Sequence, residues 1–424
     1  MCKKAVLFLL TALLLFAAGC GSSQSPAVTE SPVPTDAQPR HPIELLAEDG
    51  SRAAAPEADS LCTATENGVL YSVFEPGGAP TGPAVYHWID AAAREDLPLL
   101  TLEGQGYEAA YARTELSGAV YTLALTGNPF DDEPDTLWLL CLDGPGRSAA
   151  KYQITDNGFP YGSMAAADGR ILIVSHEMTQ PACDKVYAFD PADKSVRELL
   201  SFPAGGAGSD TLRAVCADGD GFALLRLRLT EGEPELYLDR YDGSGQKYAE
   251  LALNEQMIAA AMNVHGILSR QDALNEFGLM VSGFRLEDGR YLYYENFGLL
   301  RLILDLETGR TLFAGDDLYA MSVGCGSPAF YLQDHFVPGG DEYHSPGIWV
   351  LREGDLTRLP FAPTEDRSMI RHVSHAADGT WLIRVTDGNE ESDAWLLWQE
   401  PRAPGDPHFQ GQALPPKNSD PSPV

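Results

Sequence analysis

The sequence predicts an all-β fold, a seven-bladed β-propeller whose blades are four-stranded antiparallel sheets. Three observations lead to this prediction: a polar residue–Gly turn that recurs along the chain, an aliphatic–aromatic pair that recurs at a second position, and a composition rich in turn-forming residues. The 424 residues include 41 glycines and 30 prolines, and so many turns favour short strands over a helical bundle. With 44% hydrophobic residues, the chain can bury a core.

Self-similarity at a long, regular spacing indicates a repeat architecture. The recurring turns are Asn67-Gly68, Ser117-Gly118, Asp168-Gly169, Asp218-Gly219, Asp288-Gly289, Gly326-Ser327 and Asp378-Gly379. The recurring pairs are Val85-Tyr86, Leu137-Trp138, Val186-Tyr187, Leu236-Tyr237, Ile348-Trp349 and Ala394-Trp395, with Leu300-Arg301 in the one gap. Most neighbours in either series are about 50 residues apart, and each series independently predicts seven units.

Each unit has the pattern of four strands. The segment before the turn is rich in small residues, as in Met164–Ala167, and suits the crowded centre of a propeller. A run of β-forming residues follows the turn, as in Arg170–Ser175, and the aliphatic–aromatic pair begins the third strand. A tight turn such as Asp190–Asp193 then precedes the fourth strand. We expect the aromatic residues to fill space between neighbouring blades.

The two ends of the repeat region predict how the ring closes. The seventh unit stops after Ala394–Gln399 without a fourth strand, and Pro42–Leu46 has the pattern of a fourth strand. We therefore expect this N-terminal strand to complete the last blade and to cover its edge. Residues 42–400 resemble bacterial propellers of the TolB-like and quinoprotein-like groups, with Lys185–Pro191 and Leu304–Gly309 as the nearest local likenesses. The resemblance implies the fold and identifies no functional residue.

The N-terminus predicts export and lipidation. Two lysines precede an apolar run over Ala5–Ala18, which is short for a bilayer span but typical of a signal peptide. Small residues then lead to Cys20, and this pattern resembles the lipobox of bacterial lipoproteins. The resemblance implies that residues 1–19 are removed and that Cys20 carries a lipid anchor on the extracytoplasmic face of a bacterial membrane. Secretory cleavage near Gly19 is the alternative.

Two further segments have no apolar periodicity. Residues 20–41 are rich in Ser, Pro and Thr, and residues 401–424 are rich in Pro. We expect the first to be a flexible tether that follows the lipidated cysteine and the second to be a disordered tail. The folded domain is thus predicted to span residues 42–400.

Charge and motifs narrow the function. The chain has 61 acidic residues against 29 Lys and Arg, a net charge of −32, which opposes binding to nucleic acid and favours basic or neutral partners. It contains no G-x-S-x-G, H-E-x-x-H, P-loop or G-x-G-x-x-G motif, and we assign no catalytic residue. The first hypothesis is a binding or scaffold propeller for an envelope protein or glycan. The alternative, a propeller glycoside hydrolase or polysaccharide lyase, requires loop carboxylates from several blades to converge.

Two loops between second and third strands offer possible ligands. The first group contains mixed nitrogen and oxygen donors: Asp334, His335, Asp341, Glu342 and His344. These residues are candidates for partner binding or for a transition metal, although histidines on an exposed loop usually ligate nothing. The second group alternates oxygen donors as a calcium loop does: Asp387, Asn389, Glu391 and Asp393. We identify no cofactor from these patterns; calcium is the candidate ligand of the second loop, and a solvated acidic hairpin tip is the simpler interpretation.

An insertion over residues 254–277 accounts for the longest interval between units. It predicts two short helices, the first capped by Asn254 and the second by a capping box over Ser269–Asp272. Either it binds a partner or it is a lid packed for stability. In the binding interpretation, exposed apolar contacts come from the following residues: Met257, Met262, Leu274 and Phe277.

The remaining cysteines predict no disulfide framework, because they are odd in number and contain no C-x-x-C. They are Cys62, Cys141, Cys183, Cys216 and Cys325. Three of them fall on predicted first strands, Cys141 falls on a third strand, and Cys183 falls in a loop. Their redox state stays open from the sequence alone.

Overall fold

The computed structural model describes residues 28–30, 62–65, 68–74, 84–90, 95–102, 106–126, 136–177, 181–204, 209–230, 232–264, 266–296, 300–315, 331–336, 343–352, 355–358, 369–376, 380–386 and 394–399. These residues form seven antiparallel sheets in which consecutive strands are neighbours. A short strand, β1 (Val28–Glu30), pairs with the outer edge of the second sheet.

The first three sheets are complete. The first contains β2 (Cys62–Thr65), β3 (Gly68–Phe74), β4 (Ala84–Asp90) and β5 (Glu95–Leu102). The second contains β6 (Gly106–Leu116), β7 (Ala119–Thr126), β8 (Thr136–Asp143) and β9 (Ser148–Thr155). The third contains β10 (Gly158–Ala167), β11 (Arg170–Glu177), β12 (Cys183–Asp190) and β13 (Ser195–Pro203).

The remaining sheets follow the same order, with two helices between the fourth and the fifth. The fourth contains β14 (Asp210–Asp218), β15 (Gly221–Arg228), β16 (Glu235–Tyr241) and β17 (Lys247–Ala252). The helices are α1 (Asn254–Ala261) and α2 (Arg270–Phe277). The fifth sheet contains β18 (Val281–Glu287), β19 (Tyr291–Asn296), β20 (Arg301–Asp305) and β21 (Arg310–Gly315). Three strands each are described for the sixth and seventh: β22 (Tyr331–Phe336), β23 (Tyr343–Arg352) and β24 (Asp355–Arg358), then β25 (Met369–His375), β26 (Thr380–Thr386) and β27 (Ala394–Gln399).

The sheets pack face to face in chain order, and their first strands are neighbours. Strand β10 contacts both β6 and β14, and β14 in turn contacts β18. Apolar clusters fill the gaps between successive sheets, for example Tyr86 with Leu140 between the first and second, and Phe189 with Tyr121 between the second and third. This radial packing of four-stranded sheets confirms the predicted β-propeller.

The first and last sheets meet, which closes the ring. Strand β2 contacts both β25 and β26. The Ala64 amide on β2 donates a hydrogen bond to the Ser374 hydroxyl on β25, with a nitrogen–oxygen distance of 2.7 Å. Both residues are fully buried, so this bond replaces water contacts that neither group can make. The predicted closing strand Pro42–Leu46 lies outside the described residues and stays a prediction.

Three of the predicted polar residue–Gly turns have the geometry of tight hairpins. Ser117, Asp168 and Asp288 have φ near +50°, and the glycine after each also has a positive φ. Two successive residues with positive φ define the type I′ turn, whose twist matches that of the strands it joins. The fourth turn is displaced by one residue, since β14 extends through Asp218 and β15 begins at Gly221. The sixth and seventh predicted turns lie outside the described residues.

The second repeated signal is confirmed in six of the seven sheets. In these sheets the aliphatic–aromatic pair, or Leu300-Arg301 in the gap, lies in or directly before the third strand, whereas Ile348-Trp349 lies in β23, the second described strand of the sixth sheet. Tyr86, Trp138 and Tyr187 pack in the apolar clusters between sheets, as expected. Trp88 of the first sheet lies so close to Gly144 of the second that a Cβ added there would be 2.2 Å from the indole. The glycine thus permits two neighbouring sheets to approach.

Three cysteines are described as free thiols: Cys141, Cys183 and Cys216. Cys216 is buried on the first strand β14 and Cys141 lies on the third strand β8, as predicted. Cys183 differs from its prediction, since it begins β12 instead of lying in a loop. Within the described part of the chain, no helix is long and apolar enough to cross a membrane.

Candidate binding surface on the helical insertion

The two helices lie at the end of the blades where second and third strands are joined, which we call the long-loop end. The Asn254 side-chain amide donates to the Pro234 carbonyl over 2.9 Å, and Pro234 belongs to the loop between β15 and β16. In the same loop, the Glu233 carboxylate lies 2.8 Å from the Arg270 guanidinium of α2. These contacts place the insertion beside the long loop of the fourth sheet.

The two helices pack between the fourth and fifth sheets. Helix α1 contacts β16, β20 and β21. Its buried side chains join one apolar cluster with Leu236 of the fourth sheet and Leu302 of the fifth. The Phe277 ring meets Tyr294 edge-on, with centroids 6.1 Å apart. Of the two interpretations of the insertion, packing for stability therefore describes most of its residues.

Three of the predicted contact residues are buried. Met257, Leu274 and Phe277 belong to the apolar cluster and are at most 3% exposed. They cannot supply exposed contacts, because the diverging sheets on both sides of the helices take up their side chains. Met262 differs, since it follows α1 and is exposed. Its role in binding a partner stays a prediction.

The helix caps agree with the sequence in one case and differ in the other. The Ser269 hydroxyl accepts a hydrogen bond from the Asp272 amide, so the predicted N-cap is confirmed. The Asp272 carboxylate reaches back to accept from the Leu268 amide, one residue before the position that a capping box uses. Helix α1 begins after Leu253, and no side chain caps it. The Asn254 side chain accepts from the Leu236 amide and donates to Pro234 instead. It therefore attaches the helix to the fourth sheet.

Exposed apolar surface is confined to one region of the described chain. All the exposed large hydrophobic residues there lie between residues 229 and 279: Leu229, Tyr248, Leu251, Met262, Leu268 and Leu279. Tyr248 and Leu251 lie on the outer strand β17. The other four belong to the insertion and the neighbouring long loop, and we call them the insertion patch. Leu268 is 84% exposed and the others are 40–42% exposed.

Polar bonds tie the parts of the insertion patch to the propeller. The Arg270 guanidinium, two residues from Leu268, bonds both Glu233 of the long loop and Glu255 of α1. Arg213 on β14 donates to the carbonyls of Gly278 and Leu279 at the end of α2. These bonds attach the segments beside Leu268 and Leu279 to the propeller, and such attachment lowers the entropy lost when a partner binds.

A buried charge network lies at the same end of the fourth sheet. The Arg226 guanidinium is 2% exposed and bonds Asp239 on β16 over 2.7 Å, Asp210 on β14 over 2.8 Å and Glu250 on β17 over 2.9 Å. It thus connects all four strands, and its face lies 4.7 Å from the Tyr237 ring. Burial opposes the charge of the guanidinium, but the bonds to Asp239 and Asp210 outweigh it and raise the pKa of Arg226 above its ordinary value, so the guanidinium stays charged.

The third sheet has two polar groups at its long-loop end. The His176 Nδ1 lies 2.5 Å from Asp184, whose second oxygen accepts from the Leu212 amide of the fourth sheet over 2.7 Å. On the opposite face, Glu177 bonds Lys185 over 2.8 Å and also the Tyr187 hydroxyl. Burial and this carboxylate raise the pKa of Tyr187, so the phenol stays protonated.

The fifth sheet has a buried ion pair at its long-loop end. The Glu295 carboxylate, buried at the end of β19, lies 3.0 Å from Arg301 and accepts from the Tyr293 hydroxyl over 2.6 Å. Burial raises the pKa of Glu295, while Arg301 opposes that change. Acidic groups thus occur at the long-loop end of three consecutive sheets, but each is bonded within its own sheet or to the next one. The hydrolase or lyase alternative requires carboxylates of several blades to meet at one point, and the partners described here for these groups are instead internal ones.

The remaining candidate ligands are only partly within the described residues. Asp334 and His335 lie at the end of β22 and His344 lies near the start of β23, so one hairpin brings them to the same end. Asp341 and the four calcium candidates Asp387, Asn389, Glu391 and Asp393 lie outside the described residues. Over the described part of the chain, no group of three or more His, Cys, Asp and Glu could hold a metal ion.

Sequence reasoning missed the charged groups of the third, fourth and fifth sheets. A signal for one of them was present, because Arg226 interrupts the apolar run Phe222–Leu227 in a second strand. A charge within a buried strand needs a partner on a neighbouring strand. The partners of Arg226 come from three different strands, and only the pairing of those strands identifies them.

No protein family and no curated protein sequence matches this chain. Several solved structures are similar to it at low identity. The β-propeller domain of the Trilobed protease from Pyrococcus furiosus is 11% identical, and the alignment covers 84% of this chain and 99% of that one, with a TM-score of 0.42. Oligogalacturonate lyase in complex with manganese is 15% identical over 89% of this chain and 97% of that one, with a TM-score of 0.41. The chain is a β-propeller on the evidence of its own sheets and their packing.

Proposed function

We propose that this protein is a lipid-anchored binding propeller of a bacterial envelope, and that its insertion patch contacts the partner. The N-terminal pattern up to Cys20 supports the anchor. The chain then acts as a support held near the membrane by residues 20–41, of which Val28–Glu30 pair with the second sheet as β1. The envelope partner is a protein or a glycan by the sequence argument, and the chemistry of the surface distinguishes these two below.

One observation carries the proposal: four of the six exposed large apolar residues in the described chain belong to the insertion patch. Single exposed apolar side chains are ordinary on protein surfaces, whereas a group of them on one rigid element is typical of an interaction site. The charged groups nearby support binding over catalysis. Arg226, Glu295 and Asp184 are bonded to internal partners, which suits a support for a binding surface.

The proposal predicts separable effects of the anchor and the patch on partner contact. Cross-linking in intact envelopes compares the wild-type protein with Cys20→Ser, with the double variant Met262→Ser/Leu268→Ser, and with the control Leu251→Ser on β17. We expect Cys20→Ser to leave the membrane fraction while still folding, because the lipid and the propeller do not depend on each other. The patch variant should stay in the membrane and lose its cross-links, whereas the control should keep both.

Two results would contradict this function. A Cys20→Ser protein that stays in the detergent phase removes the anchor. A patch variant that melts like the wild type and keeps every cross-link removes the patch from the binding surface. Degradation of an envelope polysaccharide by the purified protein would instead favour the hydrolase or lyase alternative.

A further inference from the structure

We propose that the insertion patch binds a cationic amphipathic protein segment, in which apolar side chains are flanked by Lys or Arg. This inference rests on the proposed binding function and specifies the class of partner. It follows from two properties of the same surface: the kind of apolar side chain that is exposed and the sign of the charge around it.

The exposed side chains favour a protein partner over a glycan. Leu229, Met262, Leu268 and Leu279 are aliphatic and offer no side-chain hydrogen bond except to the weak acceptor sulfur of methionine. A glycan has many hydroxyl groups, and each one that is desolvated without a hydrogen-bond partner lowers affinity. An apolar side chain of a protein segment has no such requirement, and its burial against Leu268 is favourable.

The charge around the insertion patch is negative. Residues 229–235 and 254–279 contain six acidic residues against a single arginine and no lysine: Glu231, Glu233, Glu235, Glu255, Asp272 and Glu276, against Arg270. Two more arginines adjoin the patch, and both have described partners: Arg228 bonds Asp210, and Arg213 bonds the Gly278 and Leu279 carbonyls. Arg270 is shared between Glu233 and Glu255, so it compensates only one of the two charges. The excess attracts a cationic segment and repels an anionic one.

The helix ends add to this preference. Neither helix has a basic residue in its last turn. The C-terminus of α2 receives Arg213 of β14, but among the bonds the structure describes, the C-terminus of α1 beside Met262 receives no cationic side chain. The partial negative charge of a helix C-terminus stabilises a nearby cation. A lysine or arginine of the partner would occupy this position beside the apolar contact.

The same charge argues against the membrane as the occupant of the patch. In a protein that is anchored to a membrane, the bilayer is an alternative binding partner for an exposed leucine. Membrane-binding surfaces place Lys and Arg around such apolar residues, because anionic headgroups attract them. The carboxylates around Leu268 would be repelled by those headgroups.

The test uses the full-length chain in detergent and two fluorescent helical peptides with identical leucine positions. One peptide carries Lys on both sides of the leucine stripe and the other carries Glu at the same positions. We expect binding of the Lys peptide only, weakened by salt, and weakened about tenfold by Leu268→Ser or by Glu233→Gln/Glu255→Gln. The matched control Leu251→Ser, an exposed leucine on β17, should leave affinity unchanged.

The possible failures are distinguishable from failure of the proposed function. Equal binding of both peptides, or an unchanged affinity in folded Leu268→Ser, overturns the cationic-segment proposal. If neither peptide binds while the envelope cross-links still depend on the patch, the binding function holds and its partner class is different. Patch-dependent flotation with anionic vesicles, or a dimer that Leu268→Ser dissociates in sedimentation, replaces the proposed partner with a membrane or with a second copy.

Discussion

At the scale of single residues, Glu287 is a carboxyl group whose ionisation the fold opposes. It ends the first strand β18, next to the turn at Asp288. One of its carboxylate oxygens is buried without a hydrogen-bond partner. Burial, with a smaller contribution from Asp288, raises the pKa of Glu287 from its ordinary 4.5 to about 7. The carboxyl group is therefore more easily protonated in the folded protein than in the unfolded chain.

This shift predicts a pH dependence of stability. The pKa of Glu287 is higher in the folded protein than in the unfolded chain. The contribution of this carboxyl group to the free energy of unfolding is therefore fully present below pH 4.5 and is lost as the pH rises towards 7. Because the side chain is half-exposed, we expect the loss to be about 1 kcal/mol. Urea unfolding at both ends of this range should show that Glu287→Gln removes this slope, whereas Glu307→Gln at an exposed turn should retain it. Identical slopes in the wild type and Glu287→Gln would contradict the prediction.

At the scale of an element, the fourth sheet is held together by charge as well as by apolar packing. Arg226 bonds one carboxylate on each of the other three strands. The partners differ in exposure, since Asp239 is buried and Glu250 is exposed. The free-energy contribution of each bond should follow that exposure, because water screens the outer pair and not the inner one.

The difference is measurable by substitution in the fourth sheet. Arg226→Met leaves the Asp239 charge buried with only Lys247 as a cationic partner, and we expect a loss of about 3 kcal/mol in the free energy of unfolding. Glu250→Gln, the control at the exposed end, should cost less than about 1 kcal/mol. The double variant Arg226→Met/Asp239→Leu should regain much of the loss, because it removes the unpaired charge. Equal losses of unfolding free energy in Arg226→Met and Glu250→Gln would contradict the prediction that the buried Arg226–Asp239 pair contributes more than the exposed one.

Elements also show what a sequence can predict in this protein. The turns at Ser117, Asp168 and Asp288 were predictable because each combines a polar residue that tolerates positive φ with glycine. The two helices were predictable from their apolar spacing and from Ser269. The burial of Met257 and Phe277 was not predictable from the sequence, because it depends on two sheets that diverge on either side of the helices. The exposure of Leu268 was not predictable either, because nothing in the local sequence pattern distinguishes this residue from its buried neighbour Ile267.

At the scale of the whole molecule, stability depends on the junction between the first and last sheets. The Ala64–Ser374 hydrogen bond is one described polar contact across it. An equivalent bond joins the third and fourth sheets, where the Val215 amide donates to the Ser163 hydroxyl over 2.8 Å. The two bonds have the same chemistry. They differ in chain connectivity, because consecutive sheets stay linked when their bond is lost.

Removing each bond should therefore lower stability similarly but open different parts of the ring. Ser374→Ala leaves a buried amide unsatisfied, and we expect a cost of about 1–3 kcal/mol, as for Ser163→Ala. Hydrogen exchange should show the difference. In Ser374→Ala, protection is lost first in β2 and β25, whereas in Ser163→Ala these strands stay protected. Loss of protection spread evenly over all sheets in both variants would contradict a weak junction at this position.

The junction also determines when the protein can finish folding. Its two partners are 310 residues apart in the chain, whereas most sheet-to-sheet contacts of the described residues join sheets that are neighbours in sequence. A chain exported as proposed would emerge from the membrane in order from its N-terminus, so its early sheets would be available to pair before β25 had crossed. The first sheet would then stay exposed to other strands until nearly the whole chain was outside. A lipid anchor that holds each nascent chain at its own place on the membrane would keep such unfinished edges apart during that interval.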